Sequence, residues 1–282
     1  MTSHHATLPS AATEGFKDAA SYDAHRPSYP PEAVEAFLKA LKVTGQPDMN
    51  IVEVASAKRP ERYLIKAIEP HEGMRGRLAE KDLPAVEVVD GTADKMPVTD
   101  DWGDACIAAQ ASVNRFATPE SLQEIHRVLR PGAVLGMIWN IEDYNAPHEW
   151  KSSTKWEQKL NELIWSLDDG LPRFRHQKWK DVFEQQLPGN PLQALADTLT
   201  NQLPRFSLPI GEKTSKWTVW LTEDALWSRL STLSQIAVLK GAEREAAVKV
   251  FKEAMQGDDV ERNGNGEIAL HGVTYFAWTD RI

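Results

Sequence analysis

Apolar positions along the chain fall in short runs separated by polar, helix-like stretches. Pro30-Pro31 opens a helix over Glu32–Leu41, with proline well placed in a first turn. Ile51–Val54 and Tyr63–Ile68 read as strands, followed by a helix over Glu72–Lys81 and a third strand at Val86–Val89, closed by Asp90-Gly91-Thr92. A fourth strand, Ala105–Ala109, is entered from the polar loop Thr99–Asp104. Thr118 as N-cap and Pro119 at the first position start a helix through Leu129, which Arg130-Pro131-Gly132 stops before a fifth strand at Ala133–Trp139. Strands alternating with helices at this spacing predict an α/β fold, with a mostly parallel twisted sheet covered on both faces.

After Asn145 the character changes. Helices are predicted over Trp150–Leu167, Phe174–Gln186, Glu223–Leu239 and Ala242–Met255, a short strand at Phe206–Ile210, and a closing strand over Glu267–Trp278, where apolar residues alternate. The organisation expected is a disordered tail at 1–15, an α/β core at 16–145, and a helical cap or substrate region at 146–282 that returns closing strands to the sheet.

One joint breaks the pattern. Only eight residues, Ala55 to Arg62, separate the first two strands, and none is glycine. A crossover that includes its helix needs about 10–12 residues or more. Eight extended residues reach roughly 26 Å, enough to return along a short strand but not to wind a helix as well. The first βα unit is therefore expected to be truncated or rearranged.

Composition narrows the function classes. An apolar fraction of 41% and a charged fraction of 26% are ordinary for a globular protein, and the net charge of −9 argues against nucleic acid as a partner. No stretch approaches the roughly 18 apolar residues of a membrane span, and the N-terminus lacks the apolar core of a secretory signal, so the cytoplasm is the expected location. The single cysteine, Cys106, lies in an apolar run and reads as a buried thiol. Metal-ligand spacings, a P-loop and a nucleophile elbow are missing, and the paired acids Asp100-Asp101, Asp168-Asp169 and Asp258-Asp259 read as solvated loop carboxylates.

The order of the motifs Tyr22-Asp23-Ala24-His25-Arg26-Pro27-Ser28-Tyr29-Pro30, Ala67-Ile68-Glu69-Pro70, Met74-Arg75, Asp90-Gly91-Thr92-Ala93, Met96-Pro97, Arg127–Gly132 and Trp139-Asn140 with Asp143 resembles the class I S-adenosylmethionine-dependent methyltransferases, in particular a fungal small-molecule branch. The resemblance covers roughly residues 16 to 282 and implies a Rossmann-like methyltransferase fold. It also implies cofactor-binding roles for Glu69 on the ribose hydroxyls, for Asp90 and Ala93 beside the adenine, and for Gln110. A carboxylate suits two adjacent hydroxyl donors because it accepts from both.

Two departures change the functional expectation. The family carries a glycine-rich loop after the first strand, where only a residue without Cβ lets backbone approach the cofactor. Here Glu53-Val54-Ala55-Ser56-Ala57-Lys58-Arg59-Pro60 stands in that place, as if the loop and much of the first helix had been deleted. Relatives also commonly carry a His-Trp pair after the fourth strand, whereas this chain reads Gln110-Ala111-Ser112-Val113-Asn114-Arg115-Phe116.

The leading expectation is a methyltransferase-like protein that has lost normal S-adenosylmethionine binding. It would act on a small molecule by a non-methylating step, such as a cyclisation, an isomerisation or a pericyclic step in secondary metabolism. Arg26, Asn114 and Arg115 are its candidate catalytic donors, and Tyr22, Trp139, Asn140 and Tyr144 its candidate substrate pocket. No cofactor is then expected, or S-adenosylmethionine if the site is retained. An active small-molecule methyltransferase with a rearranged cofactor site is the alternative. A non-catalytic partner of an active homologue is another, and an uncovered sheet face near 51–68 would favour such pairing or a homodimer.

Overall fold

The computed structural model describes residues 28–54, 63–110, 116–167, 169–187 and 204–282. The tail at 1–15, the joint at 55–62, and Tyr22, Arg26, Asn114, Arg115 and Asp168 lie outside the described residues. No described helix is long and apolar enough to cross a membrane.

Strands β1 (Met49–Val54), β2 (Tyr63–Ile68), β3 (Val86–Val89), β4 (Gly103–Ala109), β5 (Leu129–Glu142), β6 (Gly211–Leu221) and β7 (Ile268–Asp280) form one seven-stranded sheet in the order β3-β2-β1-β4-β5-β7-β6. The pairs β1/β2, β1/β4, β2/β3 and β4/β5 are parallel, so the fold is the expected α/β, Rossmann-like one. The helices of ten residues or so are α1 (Pro31–Ala40), α2 (Glu72–Glu80), α3 (Pro119–Val128), α4 (Lys155–Ser166), α6 (Glu223–Ser231) and α8 (Gly241–Ala254). Two single-turn helices, α5 (Asp181–Glu184) and α7 (Ser234–Ala237), complete the set among the described residues.

The chain divides into two compact units. Of the described residues, one takes those within Tyr29–Asn140, Pro172–Ser215 and Thr274–Ile282; the other takes those within Ile141–Leu171 and Lys216–Val273. The division falls five residues before the expected boundary at 145, and it returns Pro172–Ser215 to the first unit rather than to a cap.

In the first unit, register sets the core. Ile51 lies opposite Ile65 and Ala105, and Ala105 opposite Val134, so these side chains share a face. They form one apolar cluster with Phe37 and Leu38 of α1, with Leu41 at its C-cap, and with Phe276 of β7, whose ring meets that of Phe37 edge-on at 5.6 Å. At the sheet edge cover is thinner: α2 has no buried residue, and Leu64 on β2 is 50% exposed.

The register also fixes the arithmetic of the short joint. Tyr63 lies beside Met49 and Ile68 beside Val54, so the link from β1 to β2 has to carry the chain back along a strand of six residues, roughly 17 Å. Its eight residues span roughly 26 Å if extended and about 12 Å if helical.

In the second unit, Tyr144, Trp156, Leu160 and Ile164 pack with Leu226, Leu230, Phe251, Ile268 and Leu270. Thr154 caps α4 by accepting from the Glu157 amide, which is why that helix starts at Lys155 and not at Trp150.

Other expectations change for local reasons. β5 begins at Leu129, and Arg130-Pro131-Gly132 lies inside it as an irregularity: Gly132 has φ +77° and the β4/β5 register shifts there. The helix expected over Phe174–Gln186 is a 3-10 turn at Phe174–His176 followed by α5, because Gln177 turns left-handed at φ 55°. The helix over Glu223–Leu239 is interrupted at Thr232-Leu233 to give α6 and α7. Phe206 makes a single bridge with Arg281, and the strand proper is the unpredicted β6, in which Ser215, Trp217, Val219 and Leu221 are half-buried while alternate residues are exposed.

Gly136 of β5 lets α1 approach the sheet closely: a Cβ there would lie 2.4 Å from Leu41 and 2.8 Å from the Phe37 ring. We expect Gly136→Ala to force α1 outward and to lower stability by about 1–3 kcal/mol, read as a lower midpoint in urea.

Candidate functional site

In open α/β sheets ligands bind beyond the carboxyl ends of the strands, at the point where strand order reverses. Here that point lies between β1 and β4.

On one side stand the ends of β2 and β3. Glu69 follows β2 and is 9% exposed; its Oε1 accepts the His71 amide at 2.8 Å, and its own amide donates to Val89 O. The Arg75 guanidinium donates to the carbonyls of Glu69 (3.1 Å) and Pro70 (2.7 Å) and pairs with Asp90 Oδ1 at 3.0 Å. Glu69 and Asp90, assigned to cofactor binding by resemblance, are thus brought to one edge with a cation between them. Gly91 sits where a Cβ would meet Pro97 at 2.9 Å and Ile68 at 3.0 Å, which lets the loop fold tightly over β2. Thr92 bridges Lys95, and Ala93 is buried.

That loop is held from α3. Arg127 donates through Nε and Nη2 to Glu124 (2.8 and 2.7 Å), through Nη2 to Met96 O, and through Nη1 to Val98 O and Asp100. Glu124 Oε1 accepts the Met96 amide at 2.7 Å. The Arg127 guanidinium holds the Glu124 carboxyl below its ordinary pKa, while Glu124 raises that of Arg127.

On the other side stand the ends of β4, β5 and β7. Gln110 follows β4 with a left-handed backbone, φ 51°; its amide donates to Ile138 O and its Nε2 to Asn140 O at 3.3 Å. Asn140 is 4% exposed, and its Oδ1 accepts from Thr274 Oγ1 at 2.6 Å. Tyr29 donates its hydroxyl to the same Ile138 carbonyl. This brings Gln110 and Asn140 together and anchors the end of the Tyr22–Tyr29 motif at the same edge. Trp139, expected to line a pocket, is 3% exposed and packed between the rings of Phe174 (5.0 Å) and Trp179 (5.2 Å), with Phe116 and Tyr275 at about 6 Å. Burial and the Glu212 carboxylate push the Tyr275 hydroxyl well above its ordinary pKa, so it stays neutral.

Tyr144, in the second unit, is 1% exposed and belongs to that unit's core. Burial raises its pKa, so the hydroxyl stays protonated beside the buried ion pair of Arg229 and Glu142 (Nε–Oε1 3.0 Å). Arg229 also lies over the Trp217 ring at 5.6 Å.

Residues 51–137 match the model of the methyltransferase domain family. An uncharacterised methyltransferase of Schizosaccharomyces pombe is 26% identical over 256 residues, covering 87% of this chain and 91% of that protein. One of Mycobacterium tuberculosis is 27% identical over 264 residues, 90% of each. Among solved structures, the YcgJ protein of Bacillus subtilis shares the fold with a TM-score of 0.51 at 14% identity, over 86% of this chain and 96% of that one. The chain is methyltransferase-like in sequence and in fold, which supports the resemblance to the class I S-adenosylmethionine-dependent methyltransferases.

Two outcomes are expected from these contacts. Arg127→Ala should free the Asp90–Asp100 loop and cost about 2–3 kcal/mol, seen as faster amide exchange at Thr92, Lys95 and Met96 than elsewhere in the sheet. The Glu124 contribution is present above its ordinary pKa and fades as pH falls through the lowered one, so in the wild type the same amides should loosen in acid. In the second unit, Arg229→Met alone should cost about 3–5 kcal/mol, whereas Arg229→Met with Glu142→Leu should recover most of it, as thermal denaturation of the single and double variants will show.

Proposed function

We propose that this methyltransferase-like chain does not seat S-adenosylmethionine in the family's usual pose, and uses the carboxyl edge of its sheet for a non-methylating step on a small molecule. The observation that carries the reading is the register of β1 on β2, closed by eight residues without glycine. The residues present fit the cofactor unevenly. Glu69 and Asp90 are carboxylates suited to hydroxyl donors, although one oxygen of each is engaged within the protein. After β1 the sequence supplies no glycine and only eight residues, fewer than the crossover helix whose N-terminus would receive the cofactor's amino-acid end needs.

A cyclisation, isomerisation or pericyclic step conserves the atoms of its substrate. It needs mainly a held conformer and neutral donors placed where charge develops. Gln110 and Asn140 are the neutral groups at this edge, and Arg26, Asn114 and Arg115 are the further donors proposed from the sequence. The second reading, an active methyltransferase with a rearranged cofactor site, is favoured by the intact Asp90–Ala93 loop and its Arg127 support. Calorimetric titration with S-adenosylmethionine separates the two. We expect no saturable heat up to millimolar concentrations, and tight one-to-one binding would establish the second reading instead.

A further inference from the structure

The first turn of α4 carries a carboxylate that the candidate site does not use. Glu157 is 0% exposed. Its Oε1 accepts the backbone amide of His271 in β7 at 2.7 Å, its Oε2 accepts the Thr154 hydroxyl at 2.7 Å, and both oxygens lie 3.2 Å from the His271 ring Nδ1. One side chain thus completes the helix cap and ties the helix to a strand 114 residues away in sequence.

The charged groups around it are mostly acidic. From the turn before α4, Asp143 faces it while holding the Ser153 amide at 2.6 Å, and the buried Tyr144 hydroxyl lies within its field. The loop after α8 sends Asp259 to the Lys155 amide, with Asp258 3.9 Å from the Lys155 ammonium. From α8, Glu253 is neutralised by Lys159 at 2.9 Å. His271 is therefore the group placed to share a proton with Glu157.

We propose that Glu157 and His271 form a one-proton latch between α4 and β7, closed near and below neutral pH and slackened in mildly alkaline solution. While the proton is present, the pair is neutral overall, whichever partner holds it. Once it leaves, a net negative charge remains buried beside Asp143, held by the neutral Thr154 hydroxyl and His271 amide. Burial, reinforced by Asp143, pushes the Glu157 carboxyl up to about 7 against the pull of the Thr154 and His271 donors. An acid raised in this way contributes stability that is fully present below its ordinary value and is lost as pH rises through the raised one.

The experiment compares wild type with Glu157→Gln, whose amide oxygen still accepts the His271 amide. Between pH 6 and pH 9 the wild-type Tm should fall by roughly 5 °C more than that of Glu157→Gln, with faster exchange confined to the first turn of α4. Parallel pH profiles for the two proteins would overturn the latch. A titration of the Glu157 carboxyl carbon by NMR in the wild-type protein tests it independently of whether the variant folds. A midpoint near 7 supports the latch, and one in the ordinary carboxylate range overturns it.

Discussion

The parallel register of β1 between β2 and β4 is the constraint on which the first unit depends. Val54 lies level with Ile68 and with Ala108, so three strands end together and present one carboxyl edge. The same register fixes how far the link from β1 to β2 must travel, and the sequence fixes how much chain it has. Fold and the proposed function therefore meet at one arithmetic: the sheet has the α/β, Rossmann-like order, while eight residues without glycine link its first two strands.

The rest of the edge is held firmly. Arg127 spends its guanidinium on a loop between β3 and β4, and Arg75 spans the carbonyls that follow β2 and the carboxylate that follows β3. Across the switch point, Gln110 and Asn140 are braced by Thr274 and Tyr29. These supports are neutral on the β4 side and charged on the β2 side.

Much of this was legible in the sequence. β2 and β3 match their expected bounds because each is a compact β-branched or aromatic run closed by a turn signal: Glu69-Pro70 after one, Asp90-Gly91 after the other. Thr118 and Pro119 start α3 as their chemistry dictates. β6 was missed because its half-buried positions begin with a serine, alternate with Lys216, Thr218 and Trp220, and lack a continuous apolar run. The 3-10 turn at Phe174–His176 was hidden because nothing at Gln177 announces a left-handed residue. At the candidate site, motif order pointed to Glu69, Asp90, Gln110 and Asn140. Their braces were not legible, since Thr274 lies 134 residues from Asn140 and Tyr29 lies 109 from Ile138. The ring packing around Trp139 was likewise not legible, since an aromatic residue at a strand end reads the same whether it faces ligand or other rings.

The backbone at Gln110 has one further consequence. A residue with a Cβ held left-handed costs about 1 kcal/mol or more, and it persists only where its surroundings insist on it. Glycine at this position would relieve that cost and delete the carboxamide, whereas asparagine would tolerate the geometry and keep a shorter one. Conformational comfort and chemical equipment can thus be varied separately at a single residue.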